Sequence, residues 1–168
     1  MATIETPFEL AIEIAANAHA GMPDKQGKPY VLHPIRVMLG VESEEAQIVA
    51  LLHDVVEDTD TSPDDIRDHG FGPEVIDALN LVTHQKDQTY AEYVIGCKGN
   101  EIARQVKMSD LRDNTSLSRL LLRQEKFDDD AIRMQRYFLS YRFLTDEISE
   151  DDYRRMMANL EKHKASNQ

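Results

Sequence analysis

Apolar residues recur along this chain at spacings of three and four, and alternation with period two is nowhere convincing. The pattern predicts an all-α bundle of about eight to ten helices. Phe8, Ile12 and Ala15 or Ala16 line one face of Pro7 to His19. Ser43 followed by Glu44 and Glu45 reads as the cap and acidic first turn of a central helix. Ser62-Pro63-Asp64-Asp65 combines a cap, a first-turn proline and a capping-box acid, and Gly70 closes the short helix after it. Further helices are predicted over Pro73 to Val82, Thr89 to Ile95, Glu101 to Asn114, Asp128 to Glu147 and Glu150 to His163. A polar loop with Gly21, Pro23, Gly27 and Pro29 interrupts the pattern and is the natural lip of a site. Met134, Tyr137, Phe138, Tyr141 and Leu144 form a late stripe, and Tyr153, Met156, Met157 and Leu160 another. Both read as core, with a contact between two copies in a homo-oligomer as the alternative.

The central helix breaks its own pattern. From Ala46 to Val56 eight of eleven residues are apolar, as in a helix buried on most sides, yet His53-Asp54 lies inside this run and Glu57-Asp58 directly after it. At about 100° per residue, His53 and Glu57 share one ridge while Asp54 and Asp58 share the next. A single buried histidine reads as ordinary core. Four ionisable residues on two adjacent ridges, three of them acidic, repel one another unless a cation sits among them. Other ligands must come from elsewhere, because one helix cannot encircle an ion. His33, held at a helix entrance by Pro34, is one candidate. Asp110 is another, on a face it shares with Lys107 and Asn114 at i, i+3 and i+7.

The order His33, His53-Asp54, Asp110 resembles the H…HD…D signature of the HD-domain metal-dependent phosphohydrolases. The surrounding words are closer still: Ala18-His19-Ala20-Gly21, Lys25 with Gly27, Pro29-Tyr30, His33-Pro34, the run Leu51 to Thr59, Phe71-Gly72, Val106-Lys107, and Asp110 to Asn114. Together they resemble the (p)ppGpp hydrolase domain of the RelA/SpoT family and its stand-alone small alarmone hydrolases, those of the metazoan SpoT-homologue type included. The likeness runs over about residues 7–120; the helices over about 128–163 follow it within one domain spanning 1–168.

That resemblance implies one divalent ion, Mn²⁺ by the family's habit, held by His33, His53, Asp54 and Asp110. It assigns Glu57 and Asp58 to the hydrolytic chemistry and Asn114 to seating the nucleotide. Two imidazoles and two carboxylates suit Mn²⁺, Fe²⁺ or Zn²⁺, and such an ion is a Lewis acid that activates water near neutral pH. Glu57 would then orient or deprotonate the attacking water, or protonate the leaving group. The expected function is therefore guanosine-3′,5′-bis(diphosphate) 3′-pyrophosphohydrolase. Hydrolysis of another nucleotide, such as a nucleoside monophosphate or a 2′- or 3′-phosphorylated cofactor, is the enzymatic alternative, and a nucleotide-binding regulator without turnover is the other.

Two positions depart from the family. Asp24-Lys25 stands where the alarmone hydrolases carry Arg-Lys, and an aspartate cannot stack on guanine as that arginine does. Asp113 stands where a histidine commonly precedes the asparagine.

A net charge of −12 argues against nucleic acid as a partner. It also means that a phosphorylated small molecule needs local positive charge, from the ion, Lys25 and Lys107, with Lys28 reading as plain solvation. Lys107 has a second reading, pairing with a ligand carboxylate. His19, His69, His84 and His163 read as structural or exposed. The length suits one domain without room for a synthetase. No apolar run reaches membrane-spanning length, and no signal peptide is evident. The single cysteine, Cys97, reads as a buried filler and points to the reducing cytoplasm.

Overall fold

The computed structural model describes residues 6–119 and 123–166; position 120, where the likeness to the family was expected to end, lies outside them. Among the described residues the chain forms nine α-helices and no strand: α1 (Pro7–Ala18), α2 (Leu32–Leu39), α3 (Glu44–Asp58), α4 (Pro63–Asp68), α5 (Pro73–Val82), α6 (Tyr90–Lys98), α7 (Glu101–Asn114), α8 (Phe127–Leu144) and α9 (Glu150–Ser166), with a 3₁₀ turn at Gln124–Lys126.

Local chemistry accounts for the boundaries. Thr6, Ser62 and Thr89 each close a capping box, with Glu9, Asp65 and Glu92 as the reciprocal acids. Ser43 and Asn100 cap α3 and α7 through their side chains. The predicted helix at Thr89 begins one residue later, with Thr89 as its cap, and runs on to Lys98. The predicted helix to Glu147 ends at Leu144, and Asp146 takes a left-handed φ of 62° just beyond.

α3 is the axis of the bundle, packed by α1, α2, α5 and α7. Ala46 and every residue from Ile48 to Val55 are buried, so the greasy run is surrounded on nearly all sides. α7 lies across both α3 and α2. It approaches the end of α2 at Gly40, where a Cβ would collide with the Ser109 hydroxyl, and Ser109 Oγ donates to Val37 O at 2.8 Å. This close approach brings Asp110 to the level of His33.

α8 and α9 pack on each other and on α6. Their buried faces differ from the predicted stripes. Phe138 is 58% exposed, and the buried positions of α8 are Asp130, Ser140, Phe143 and Leu144. Ser140 tolerates burial because its hydroxyl donates to Arg136 O at 2.7 Å and meets Tyr153 OH at 2.8 Å. Asp130 is held by Arg123 and Arg133. Met134 and Tyr137 turn instead toward the pocket described next. In α9, Tyr153, Met157 and Leu160 are core and Met156 is not. No helix among the described residues is long and apolar enough to cross a membrane.

Candidate metal centre and pocket

His53 and Asp54 arise from the buried middle of α3, His33 from the first turn of α2 and Asp110 from the middle of α7. One donor atom each from His33, His53 and Asp54 lies within 4.8 Å of the other two. His33 Nε2 is 3.3 Å from both Asp54 Oδ2 and Asp110 Oδ1, which ties the fourth predicted ligand to the group.

His53 Nδ1 lies 2.7 Å from Ala50 O, so the proton sits on that nitrogen. Its Nε2 is buried, 3.1 Å from Asp54 Oδ1, and makes no hydrogen bond. A buried imidazole nitrogen without a hydrogen bond, set beside carboxylate oxygens, is the donor arrangement that a cation satisfies once the nitrogen is deprotonated, and the N/O set suits Mn²⁺, Fe²⁺ or Zn²⁺. The residues present therefore fit a divalent ion.

The electrostatics agree. Without an ion, burial opposes charge on His53, but Asp54 and Asp110 override it and push its pKa up to about 9, so a proton on the imidazole holds the place that a cation would take by displacing it. Burial likewise opposes charge on Asp54, and the His53 and His33 imidazoles draw it down to about 2. Asp110 is held far below the carboxylate range against burial, chiefly by Lys107. These carboxylates stay ionised and demand positive charge.

Both oxygens of Asp110 are engaged. Lys107 Nζ donates to Oδ2 at 2.8 Å and Asn114 Nδ2 to Oδ1 at 2.5 Å. Lys107 is buried, with Nζ 4.9 Å from the centre of the Tyr93 ring, so its charge serves the ligand carboxylate. Tyr30 OH donates to Asp54 Oδ2 at 2.9 Å. Glu57 stands on the same wall as His53, its Oε1 accepting from the His84 backbone N–H at 2.8 Å. Desolvation of its head group raises the Glu57 pKa, although the residue as a whole is exposed. Asp58, the last residue of α3, is exposed and does not line the pocket.

Over this centre opens a pocket of about 280 Å³. Lys25, Arg119 and Arg133 bring cations to its wall, and Tyr90, Tyr93 and Tyr137 bring aromatic faces. Burial and the nearby Arg133, Arg123 and Arg119 lower the Lys25 pKa, a sign of concentrated positive charge. Asp24 also lines the pocket, but its Oδ1 accepts from the backbone N–H of Gln26 at 2.8 Å and of Lys28 at 2.9 Å. It shapes the loop from within. Gln26 Nε2 donates to Ser118 O at 2.7 Å, fastening that loop to the chain after α7.

Sequence reasoning missed Tyr30, Arg119, Arg133 and the tyrosines, and it left His84 outside the site although His84 lines the pocket. Arg133 and Tyr137 did leave a signal: a cation and an aromatic at i, i+4 share one helical ridge. Arg119 left none. His19 is buried, with Nδ1 2.9 Å from Ala15 O and its ring 5.0 Å from that of Tyr30. His69 and His163 are exposed.

The fold and the donors define an all-α protein with a buried His/Asp centre at the floor of a cation-lined pocket. The chain belongs to the HD-domain family, whose model matches residues 11–117. It is 30% identical over 131 residues to a guanosine-3′,5′-bis(diphosphate) 3′-pyrophosphohydrolase of Aquifex aeolicus, a match covering 71% of this chain and 18% of that protein. It is 42% identical over 84 residues to the mouse enzyme of that name, MESH1, covering 45% of this chain and 46% of the relative. The chain thus spans under a fifth of that bacterial relative and about half of MESH1. A solved structure described as a metazoan ortholog of SpoT that hydrolyzes ppGpp superposes with a TM-score of 0.56 at 26% identity, covering 84% of this chain and 95% of the other.

Proposed function

We propose that this chain is a metal-dependent phosphohydrolase whose first substrate is (p)ppGpp, cleaved at the 3′-pyrophosphate. The carrying observation is the convergence of His33, His53 and Asp54, with the unbonded Nε2 of His53, on the floor of a pocket that also presents Glu57 and the cations Lys25, Lys107, Arg119 and Arg133. Relatives and a structural neighbour described as ppGpp hydrolases support the substrate.

His33, His53, Asp54 and Asp110 would hold the ion, Mn²⁺ in this reading, and the bound ion supplies Lewis acidity toward a phosphate oxygen and water. Glu57 takes the proton of the attacking water, its carboxylate held in place by the His84 N–H and its basicity raised by desolvation. Water adds to the phosphorus on the ribose 3′ oxygen, which leaves with a proton, and pyrophosphate is released. Asp58, exposed and outside the pocket lining, would assist Glu57 only from beyond the pocket wall. Lys25, Arg119 and Arg133 offset phosphate charge in an otherwise acidic protein. Asn114 and Lys107 act through Asp110, which both contact. α8 completes the pocket wall with Arg133, Met134 and Tyr137, which fits a single domain. The buried thiol of Cys97 fits the reducing cytoplasm.

Asp24 favours a second reading within the same chemistry. Its carboxylate is spent on the loop, and no guanidinium occupies that position to stack on guanine, so another phosphorylated nucleotide competes as substrate. Mn²⁺-loaded protein, assayed against (p)ppGpp and a panel of phosphorylated nucleotides with product analysis, separates these outcomes. Release of pyrophosphate from (p)ppGpp, abolished by chelator, is expected. Faster turnover of a different nucleotide selects the second reading, and no turnover of any of them refutes the enzymatic one.

A further inference from the structure

Asp113 lies outside the donor group yet is joined to it. His33 and Arg36 stand one turn apart on α2, and Asp110 and Asp113 one turn apart on the facing α7. The two helices therefore meet as a ladder. His33 places Nε2 3.3 Å from Asp110 Oδ1 and Nδ1 2.6 Å from Asp113 Oδ2. Arg36 Nε donates to Asp113 Oδ1 at 2.6 Å, and Arg119 bonds Asp113 Oδ2 from the segment after α7. The Asp113 side chain is only 9% exposed.

We propose that Asp113 is a positioning residue for the ion: it accepts the His33 Nδ1–H and so keeps the Nε2 lone pair turned toward Asp54. This rests on reading the site as a metal centre. The competing arrangement is visible. Arg119 also lies 2.8 Å from His33 Nδ1. Were that nitrogen bare, it would accept from the guanidinium, Nε2 would carry the proton, and the ring would be lost as a ligand. The shorter contact belongs to Asp113, and both arginines already have that carboxylate as partner. A carboxylate behind a ligating histidine fixes its tautomer and orientation. Here the two guanidinium groups orient the carboxylate in turn, and they balance the third negative charge brought to a cluster that already holds Asp54 and Asp110.

The test uses Mn²⁺ alone, titrated by calorimetry into wild-type protein, Asp113→Asn and Asp113→Ala, with circular dichroism of the chelated proteins as a folding control. Mn²⁺ affinity is expected to fall about 10- to 100-fold in both variants while helicity is kept. NMR of Zn²⁺-loaded wild-type protein should show His33 with a protonated Nδ1, whether or not the variants fold. A folded variant whose Mn²⁺ affinity stays within about threefold of wild type, well short of the usual loss, overturns the proposal. So does a bare His33 Nδ1 in the Zn²⁺ form. Wild-type protein that binds neither ion overturns the metal reading beneath it, a result distinct from normal binding by the variants.

Discussion

Lys107 is the sharpest place to test the charge balance of the centre. Its ammonium is 2.8 Å from Asp110 Oδ2, with the two side chains 10% and 9% exposed, and is also seated over Tyr93. Replacing it with methionine keeps most of the volume and removes the charge. Breaking a buried pair by deleting one partner costs about 3–5 kcal/mol, because the other charge stays buried. Asp110 retains Asn114 and His33 as neighbours, which places this loss near the lower end, about 3 kcal/mol. For a domain of this size that is a fall of about 6–12 °C in melting temperature. An ion in the centre supplies the missing positive charge, so the loss should shrink when Mn²⁺ is present, and by linkage Lys107→Met should bind the ion more tightly than wild type. Urea unfolding of both proteins, once in chelator and once in saturating Mn²⁺, measures all four stabilities. Equal losses in the two conditions, or no loss in chelator, would refute the view that Lys107 stands in for part of the cation's charge.

Glu57→Gln should retain the ion, since Glu57 is outside the donor group, yet lower kcat by about 10²- to 10⁴-fold; metal analysis beside steady-state kinetics checks both halves. Asp24→Ala should raise KM several-fold with kcat little changed and speed proteolysis of the 21–30 loop, because two backbone N–H groups lose their acceptor, whereas Asp24→Asn should remain near wild type. Asp24→Arg breaks the same turn, so a lower KM for (p)ppGpp in that variant would show that base stacking outweighs loop order. Cys97 is buried, and burial pushes its thiol up to about 12 from an ordinary 9.0. It should therefore resist thiol reagents at neutral pH until the protein unfolds. Between those two values the unfolded chain has released the proton that the folded chain keeps, so stability should fall as pH rises above about 9, readable by thermal melts of wild type against Cys97→Ala.

The sequence by itself determined the helices and the floor of the site. Capping boxes at Ser62 and Thr89, the Ser43 cap and the three-to-four spacing act within a turn or two, so they are written locally and fold as written. The conflict of His53, Asp54 and Glu57 with a buried helix was equally local. Polar groups in an apolar run have to be satisfied wherever the helix ends up. His33 and Asp110 were only weak candidates from their local setting and gained their weight from motif order.

Tertiary structure decided how these pieces were used. Which face of α8 is buried depends on its packing against α6, α7 and α9, and a stripe holding Met134, Tyr137 and Phe138 together cannot say which of them turns to a pocket and which to solvent. The hold of Asp113 on His33 spans 80 residues, the reach of Arg119 to the same ring 86, and the Gln26–Ser118 bond that fixes the loop 92. Such contacts leave no period in the chain. They arise where the fold lays α7 against α2, an approach close enough that Gly40 has no room for a Cβ beside the Ser109 hydroxyl. Asp24 shows the same limit: as a letter it is a negative charge beside a nucleotide pocket, and only the folded loop shows that charge spent on the backbone of Gln26 and Lys28.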